Sequence, residues 1–250
     1  MKYKSMKFKQ IEVDRYDKRA IQGINQKKFI KNLEYLDVPY KFYYRLLKKI
    51  KIKKNLLEIA SGMGEHTLKL IKLNFNVHAT DISSKSVEIM KKRFSKYKNF
   101  SSSVADMENL PFKNGSFDIV CIVGGLSYGD RRKVMNEIYR VVALNGTVII
   151  VDSLNNSFIY RFNRYLHYLK GNRTITTLKR MPDINLIKIY TKKFGYGEVN
   201  YFGSITWTFP FLKLILTEKL IKDFSNWVDK KFKIKGSAFK FVLMLKKIKK

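Results

Sequence analysis

The chain has 250 residues, 45% of them apolar, and a formal charge of +31 from 51 basic and 20 acidic side chains. That length and apolar content exclude a disordered chain and suit one α/β domain with appendages. No uncharged apolar run reaches the roughly 18 residues of a membrane-spanning helix, and the basic start lacks the apolar core of a secretory signal. The single cysteine, Cys121, cannot form an internal disulfide, so the expected compartment is the reducing cytoplasm.

In chain order, residues 1–54 carry a net +12 and show helical spacing at Phe42, Leu46 and Leu47, which predicts a helical prelude. An apolar run at 56–60 ends in a Ser-Gly-x-Gly turn and reads as a buried parallel strand followed by a loop. A helix over 65–73 and a strand over 75–80, ending at Asp81, come next. Ser83 or Ser84 is a candidate N-cap for a helix facing inward through Val87, Met90 and Phe94. Further strands are predicted at 100–105, ending at Asp106, and at 117–123, ending in Gly124-Gly125. A helix over 131–142, stopping near Asn145-Gly146, leads to a strand at 147–151. Residues 55–152 are nearly balanced, at +3. Residues 153–203 carry +7; of these, 153–182 read as an insertion with a helix at 160–169 and a turn at Gly171-Asn172, and 184–194 is a further helix candidate. Residues 204–250 carry +9. Strands at 196–202 and 238–245 would complete the sheet. Alternating strands and helices imply a parallel sheet covered on both faces.

Three features carry chemistry, all at the carboxyl ends of successive strands, where open α/β sheets bind ligands. The first is E-I-A-S-G-M-G (58–64). Its glycines let a ligand approach the backbone, and the helix after it offers free N–H groups. The third glycine of a dinucleotide fingerprint is replaced by Thr67, which argues against hydride transfer. The second is Asp81, about 20 residues on, placed to accept from ribose hydroxyls. The third is Asp106-Met107, a carboxylate for an amino group beside an apolar side chain for a ring.

With these features in register, the stretch resembles the class I S-adenosylmethionine-dependent methyltransferases of the ubiquinone-methyltransferase-like type. The resemblance rests on N-L-L-E-I-A-S-G-M-G-E-H (55–66), A-T-D-I-S (79–83), A-D-M-E-N-L-P-F (105–112), G-S-F-D-I-V (115–120) and E-I-Y-R-V-V-A-L-N-G-T-V-I-I (137–150). It implies a Rossmann-like, seven-stranded, mostly parallel sheet with helices on both faces and the last strand antiparallel. Residues 1–54 would form a helical lid. Residues 55–250 would be the catalytic domain, with 153–194 covering the acceptor. It further implies S-adenosylmethionine as cofactor, S-adenosylhomocysteine as product, and no metal. Glu58 would orient the loop, and Ala60, Ser61, Gly62 and Gly64 would face the methionine and ribose. His66 would touch the donor. Asp81 would hold the ribose, Ile82 and Met107 would pack on adenine, and Asp106 would take its edge. Val123, Gly124 and Gly125 would line the methionyl side. Ala60 and Ser61 stand where many relatives have Gly and Cys or Thr.

The acceptor is less legible. Candidate bases are His167, Asp152 and Tyr128. Arg161, Arg164, Arg173 and Arg180 lie in one short segment and are candidates for gripping a phosphate. The segment H-Y-L-K-G-N-R-T (167–174) is similar to methyltransferases of surface-polysaccharide pathways. The leading expectation is therefore O-methylation of a small anionic, nucleotide-activated precursor of a capsule or O-antigen, a sugar or a phosphoramidate-type group. The alternatives are an RNA methyltransferase, or a lipid or quinone methyltransferase at the membrane surface. The amino-methylating Asn/Asp-Pro-Pro-aromatic motif is missing, Cys121 lies inside a strand, and no RNA-binding module is visible, so nucleic acid is not the expected partner. Tyr16, Phe29, Tyr40 and Tyr43 are candidates for closing the pocket. Trp207, Phe209, Phe211, Leu212, Trp227, Phe232 and the lysines of 230–235 have the composition of a membrane-surface element. They are read here as core packing.

Overall fold

The structure is a computed structural model that describes residues 2–26, 37–50, 54–170, 174–232 and 234–249. Two helices, α1 (Lys2–Gln26) and α2 (Val38–Lys48), precede the sheet. Then follow β1 (Asn55–Ile59), α3 (Thr67–Lys72), β2 (Asn76–Asp81), α4 (Ser84–Phe94), β3 (Phe100–Val104) and β4 (Phe117–Val123). The second half comprises α5 (Arg131–Val141), β5 (Val142–Ser153), α6 (Phe158–Leu169), α7 (Ile175–Arg180), α8 (Ile184–Phe194) and β6 (Gly195–Phe202), then α9 (Phe209–Leu212), α10 (Glu218–Phe232) and β7 (Lys240–Lys247). The strand order is β3-β2-β1-β4-β5-β7-β6. β1 to β5 pair in parallel, and β7 runs antiparallel between β5 and β6. The expected seven-stranded Rossmann-like sheet is thus present.

The central strands are apolar on both faces because each face is covered by helices. Leu57 and Ile59 of β1 pack with Val120, Ile138 and Phe194 on one side. Leu56 packs with Tyr43, Leu70, Met90 and Phe94 on the other. Helix starts follow local chemistry. The Ser83 hydroxyl accepts from the Ser86 N–H at 3.0 Å. Asp130 accepts from the N–H groups of Arg132 and Lys133, and Asp183 from that of Leu186, each satisfying a donor the helix itself leaves unpaired. α8 stops at Gly195, whose φ of 92° suits a left-handed cap.

Two expectations need correction. The fifth strand is not confined to 147–151 but starts at Val142. Asn145 takes a positive φ of 62°, and the ladder shifts register between Phe117 and Ile119, so the chain turns from α5 straight into the sheet. The aromatic tail is not core. Residues 209–232 form helices, and Phe211, Trp227 and Phe232 are 69%, 50% and 54% exposed. Only Phe209 of that group is buried.

Arg131, the first residue of α5, clips the end of α7 in place. Its guanidinium donates to the carbonyls of Lys179 at 3.1 Å, Arg180 at 3.2 Å and Met181, and to Asp183 at 3.2 Å. Arg131→Ala should lower stability by about 1–3 kcal/mol, since several charge-assisted hydrogen bonds are lost. Arg131→Lys should restore only part, because an ammonium cannot reproduce the fork. Thermal unfolding of the three proteins checks this, and equal midpoints would show that the clip contributes nothing.

Candidate active site

A cavity of about 770 Å³ opens at the carboxyl ends of β1, β2, β3 and β4, within the range of about 300–1,000 Å³ typical of ligand pockets. α1 contributes Lys9, Glu12 and Tyr16 to its wall, and α2 contributes Tyr40 and Tyr44.

The loop after β1 is held by Asp81. One carboxylate oxygen accepts from the Gly62 N–H at 2.8 Å and the other from the Ser83 N–H at 2.9 Å. Burial raises the Asp81 pKa above the ordinary carboxylate range, against the pull of those N–H groups. Ala60 and Gly62 both have left-handed backbone, with φ of 54° and 57°. The alanine is tolerated because the neighbouring loop is bare. A Cβ on Gly125 would lie 2.8 Å from that of Ala60. The Arg93 guanidinium donates to the Met63 carbonyl from the other side of the loop. Gly64 has a different task from its predicted one. It does not line the cavity; a Cβ there would sit 2.5 Å from the Phe94 ring, so its bareness lets α4 pack under the loop.

Glu58 is buried at the floor and accepts from the Thr67 hydroxyl at 2.5 Å. Burial pushes its pKa up to about 8; the Thr67 bond opposes this, while Glu65 and Asp81 add to it. Ile82 and Met107 both line the cavity. Asp106 accepts from the Glu108 N–H at 2.9 Å, and Lys9 bridges Asp106 and Glu108. Glu108 is a buried junction that the sequence did not single out. It also accepts from the Asp130 N–H at 2.7 Å and lies 3.7 Å from Lys133 and 3.8 Å from Arg180.

A second cluster lies on the α2 side. The Tyr44 hydroxyl sits 2.5 Å from His66 Nδ1, and the Tyr40 ring stacks on the imidazole with centroids 5.0 Å apart. Burial pushes the His66 pKa down to about 4, with Lys69 and Lys240 adding to the shift. Burial, and then Glu58, raises that of Tyr44. Both groups are therefore neutral and share one hydrogen bond, in which either the Tyr44 hydroxyl or Nδ1–H is the donor. Tyr16 meets Tyr128 edge-to-face at 5.4 Å.

The cavity gathers Glu58, Ala60, Ser61, Gly62, His66, Asp81, Ile82, Asp106, Met107, Val123 and Gly124, every predicted cofactor residue except Gly64. Of the candidate bases only Tyr128 lines it. Asp152 is buried and accepts from the backbone N–H groups of Leu126 at 3.0 Å and Ser153 at 2.6 Å, so it positions the loop after β4. His167 is exposed on α6 and away from the cavity. The arginines do not converge. Arg164 is buried and donates to the Leu154 carbonyl at 2.8 Å. Arg180 stacks on Phe8 near Glu108. Arg161 is exposed, and Arg173 lies outside the described residues, as do Phe29 and the turn at 171–172. Arg161 and Arg164 are i and i+3 on α6, yet one faces solvent and the other is drawn inward by the Leu154 carbonyl, which a linear cluster does not reveal. Of the aromatic closure candidates, Tyr16 and Tyr40 line the cavity, whereas Tyr43 is fully buried under the sheet. Among the described residues no cluster of three metal-ligating side chains occurs, and no helix is long and apolar enough to cross a membrane.

A family model described as a methyltransferase domain matches residues 56–146. The ubiquinone/menaquinone biosynthesis C-methyltransferase of Rickettsia bellii is 28% identical over 176 residues, 60% of this chain and 71% of that protein. The demethylmenaquinone methyltransferase of Thermotoga maritima is 34% identical over 119 residues, 46% of this chain and 51% of that one. Among solved structures, phosphoethanolamine N-methyltransferase 2 of Haemonchus contortus, in complex with S-adenosylmethionine, superposes with a TM-score of 0.58 at 19% identity. That match covers 84% of this chain, which spans about half (53%) of the worm enzyme's length. The methyltransferase-domain match, the methyltransferase relatives and the class I fold together make the chain an S-adenosylmethionine-dependent methyltransferase.

The raised Glu58 pKa has a consequence for stability. A carboxyl that binds its proton more tightly when folded than when unfolded costs stability as pH rises from its unfolded value, about 4.3, through its folded one. Glu58→Gln removes that cost. Its melting midpoint should gain on the wild type between pH 5 and a pH above 8, by calorimetry. A gap that stays constant across this range would show that Glu58 ionises freely in the fold.

Proposed function

We propose that the enzyme methylates a ring carbon of a lipophilic, aromatic, quinol-type acceptor. The observation that carries this is the character of the wall beside the glycine loop: Tyr16, Tyr40, Tyr44, Tyr128 and His66 line it, and the arginine of its lining among the described residues, Arg93, is engaged with the Met63 carbonyl. Aromatic faces suit a flat ring. The quinone-type substrates named for the Rickettsia and Thermotoga relatives support the same reading. A nucleotide-activated sugar or phosphoramidate precursor loses its main support once Arg161, Arg164 and Arg180, the three candidate arginines among the described residues, have separate surroundings.

When bound, S-adenosylmethionine supplies a methyl group on a positively charged sulfur. Transfer to a ring carbon would leave the carbon–sulfur electron pair on sulfur, and the displaced ring proton would pass to solvent water as the ring regains its aromaticity. The chain's own part is alignment and exclusion of water. Asp81 uses two of its roughly four lone-pair sites on backbone N–H groups and keeps the others for ribose hydroxyls. Ile82 and Met107 provide apolar faces for adenine, and Asp106 accepts from its amino group. Ala60, Ser61, Val123 and Gly124 give the methionyl part close access to backbone. His66, neutral and in the tautomer that accepts from Tyr44 at Nδ1, offers its Nε2 N–H to a negatively charged oxygen. An imidazole held near pKa 4 is a poor proton sink, so it acts as a donor that steadies the charge of a deprotonated ring oxygen.

Two measurements test the reading. Asp81→Ala should weaken donor binding by about 1–3 kcal/mol in titration calorimetry, the loss of a charged acceptor; unchanged affinity would remove Asp81 from the ribose. Purified enzyme with methyl-labelled donor should label a short-tailed hydroquinone in preference to a nucleotide-sugar. Label confined to the water-soluble anionic product would overturn the quinol acceptor.

A further inference from the structure

We infer that the enzyme docks on anionic lipid bilayers through one face made of α6 and the α9–α10 segment. The inference goes beyond the acceptor chemistry and stands whether or not the acceptor is a quinol.

α6 is amphipathic in the inverted sense. Its inner face buries Tyr160 and Arg164, one turn apart, with Arg164 fastened to the Leu154 carbonyl. Its outer face presents Phe158 at 80%, Phe162 at 55% and Leu169 at 62% exposure. A globular helix normally turns its apolar stripe inward. α10 buries Ile221, Ser225 and Val228 and exposes a second stripe, Leu220, Phe224 and Trp227, with the last two rings stacked. Between α9 and α10, Leu214 and Ile215 stand 83% and 84% exposed.

These parts meet at one turn. The Tyr160 hydroxyl of α6 donates to the Gly203 carbonyl at 3.1 Å. From the other side, Asp229 of α10 accepts from the N–H groups of Gly203 at 2.6 Å and Ser204 at 3.0 Å. Both helices are therefore anchored to the same turn. That turn adjoins the start of α2: Val38 and Pro39 share a small cleft with Gly203, Thr206 and Asp229. One residue on, Tyr40 walls the active-site cavity. The turn that anchors both helices thus lies beside the cavity's α2 wall, where a lipophilic acceptor would arrive.

Charge selects the occupant. Residues 153–182 contain six basic side chains and no acidic one, and residues 199–217 contain no acidic one either. Exposed Arg161, Lys170, Lys219, Lys230 and Lys231 of these helices outnumber the exposed acids Asp223 and Glu218, the latter paired with Lys213. An anionic headgroup layer complements such an excess. A second copy of this chain would bring a +31 molecule and an acid-free α6 against its like. A neutral apolar partner would leave these cations unmatched.

The two tryptophans of the chain, Trp207 and Trp227, are both exposed on this face and report its environment. The test mixes the full chain with vesicles of phosphatidylcholine, alone or with about a third phosphatidylglycerol, at about 0.1 M salt. Tryptophan emission should shift to the blue, and the protein should sediment, with the anionic vesicles and not with the neutral ones. The triple variant Phe158→Glu, Leu214→Glu, Ile215→Glu should lose at least about tenfold in vesicle affinity. Its donor binding should remain as in the wild type, which checks the fold. Absence of the blue shift, or a triple variant that binds as well as the wild type, would overturn the inference. So would a dimer in sedimentation velocity that the triple variant dissolves. Vesicle binding without methylation of a hydroquinone would uphold docking and remove the proposed acceptor; the reverse result would do the opposite.

Discussion

The active site depends on one carboxylate bridging two loops. β1 and β2 are parallel neighbours, so their carboxyl ends open side by side, and the loops that follow have no ladder to hold them. Asp81 ties the Gly62 N–H to the Ser83 N–H across that gap. The tie keeps Ala60 and Gly62 in left-handed backbone, a conformation that costs a residue with a Cβ about 1–2 kcal/mol. It also sets the start of α4, because Ser83 caps that helix. Strained backbone, helix start and cavity floor are thereby fixed by one side chain, whose burial is costly unless both its oxygens are bonded.

Glu108 does for the rim what Asp81 does for the floor. A buried carboxylate draws cations and N–H groups from wherever the chain can supply them. Here they come from α1 through Lys9, from the start of α5 through Asp130 and Lys133, and from the end of α7 through Arg180. Three segments remote in sequence are gathered at one point beside the cavity. The Arg131 clip adds a second hold on α7. The cavity wall is in this sense an electrostatic assembly laid over an apolar sheet.

This explains what was legible in advance. Parallel strands buried on both faces read as apolar runs, and glycines and carboxylates at their ends mark the turns, so β1 to β4 and the floor of the site were readable from 55–125. Contacts such as Lys9 with Glu108 join residues about a hundred positions apart and leave no local trace. The arginines of 161–180 misled because composition does not say what a side chain will bond: Arg161 and Arg164 are surface neighbours at i and i+3, yet one ends in solvent and the other buried on the Leu154 carbonyl. The tail misled for a different reason. A run of aromatic and branched residues looks the same whether it fills a core or coats a surface, and only the placement of Ile221 and Val228 inward and Trp227 outward distinguishes the two.

The sheet order carries a last consequence. β6 touches the rest of the sheet only through β7, which is made some forty residues later yet inserts between β5 and β6. During synthesis on the ribosome, β6 must wait with its edge unpaired, and β5 with an apolar flank uncovered, until residues 240–247 have emerged. Long-range pairing of this kind is slow and exposes sticky edges meanwhile. Completion of the sheet therefore waits for residues 240–247, and the nascent chain is most in need of protection just before its seventh strand arrives.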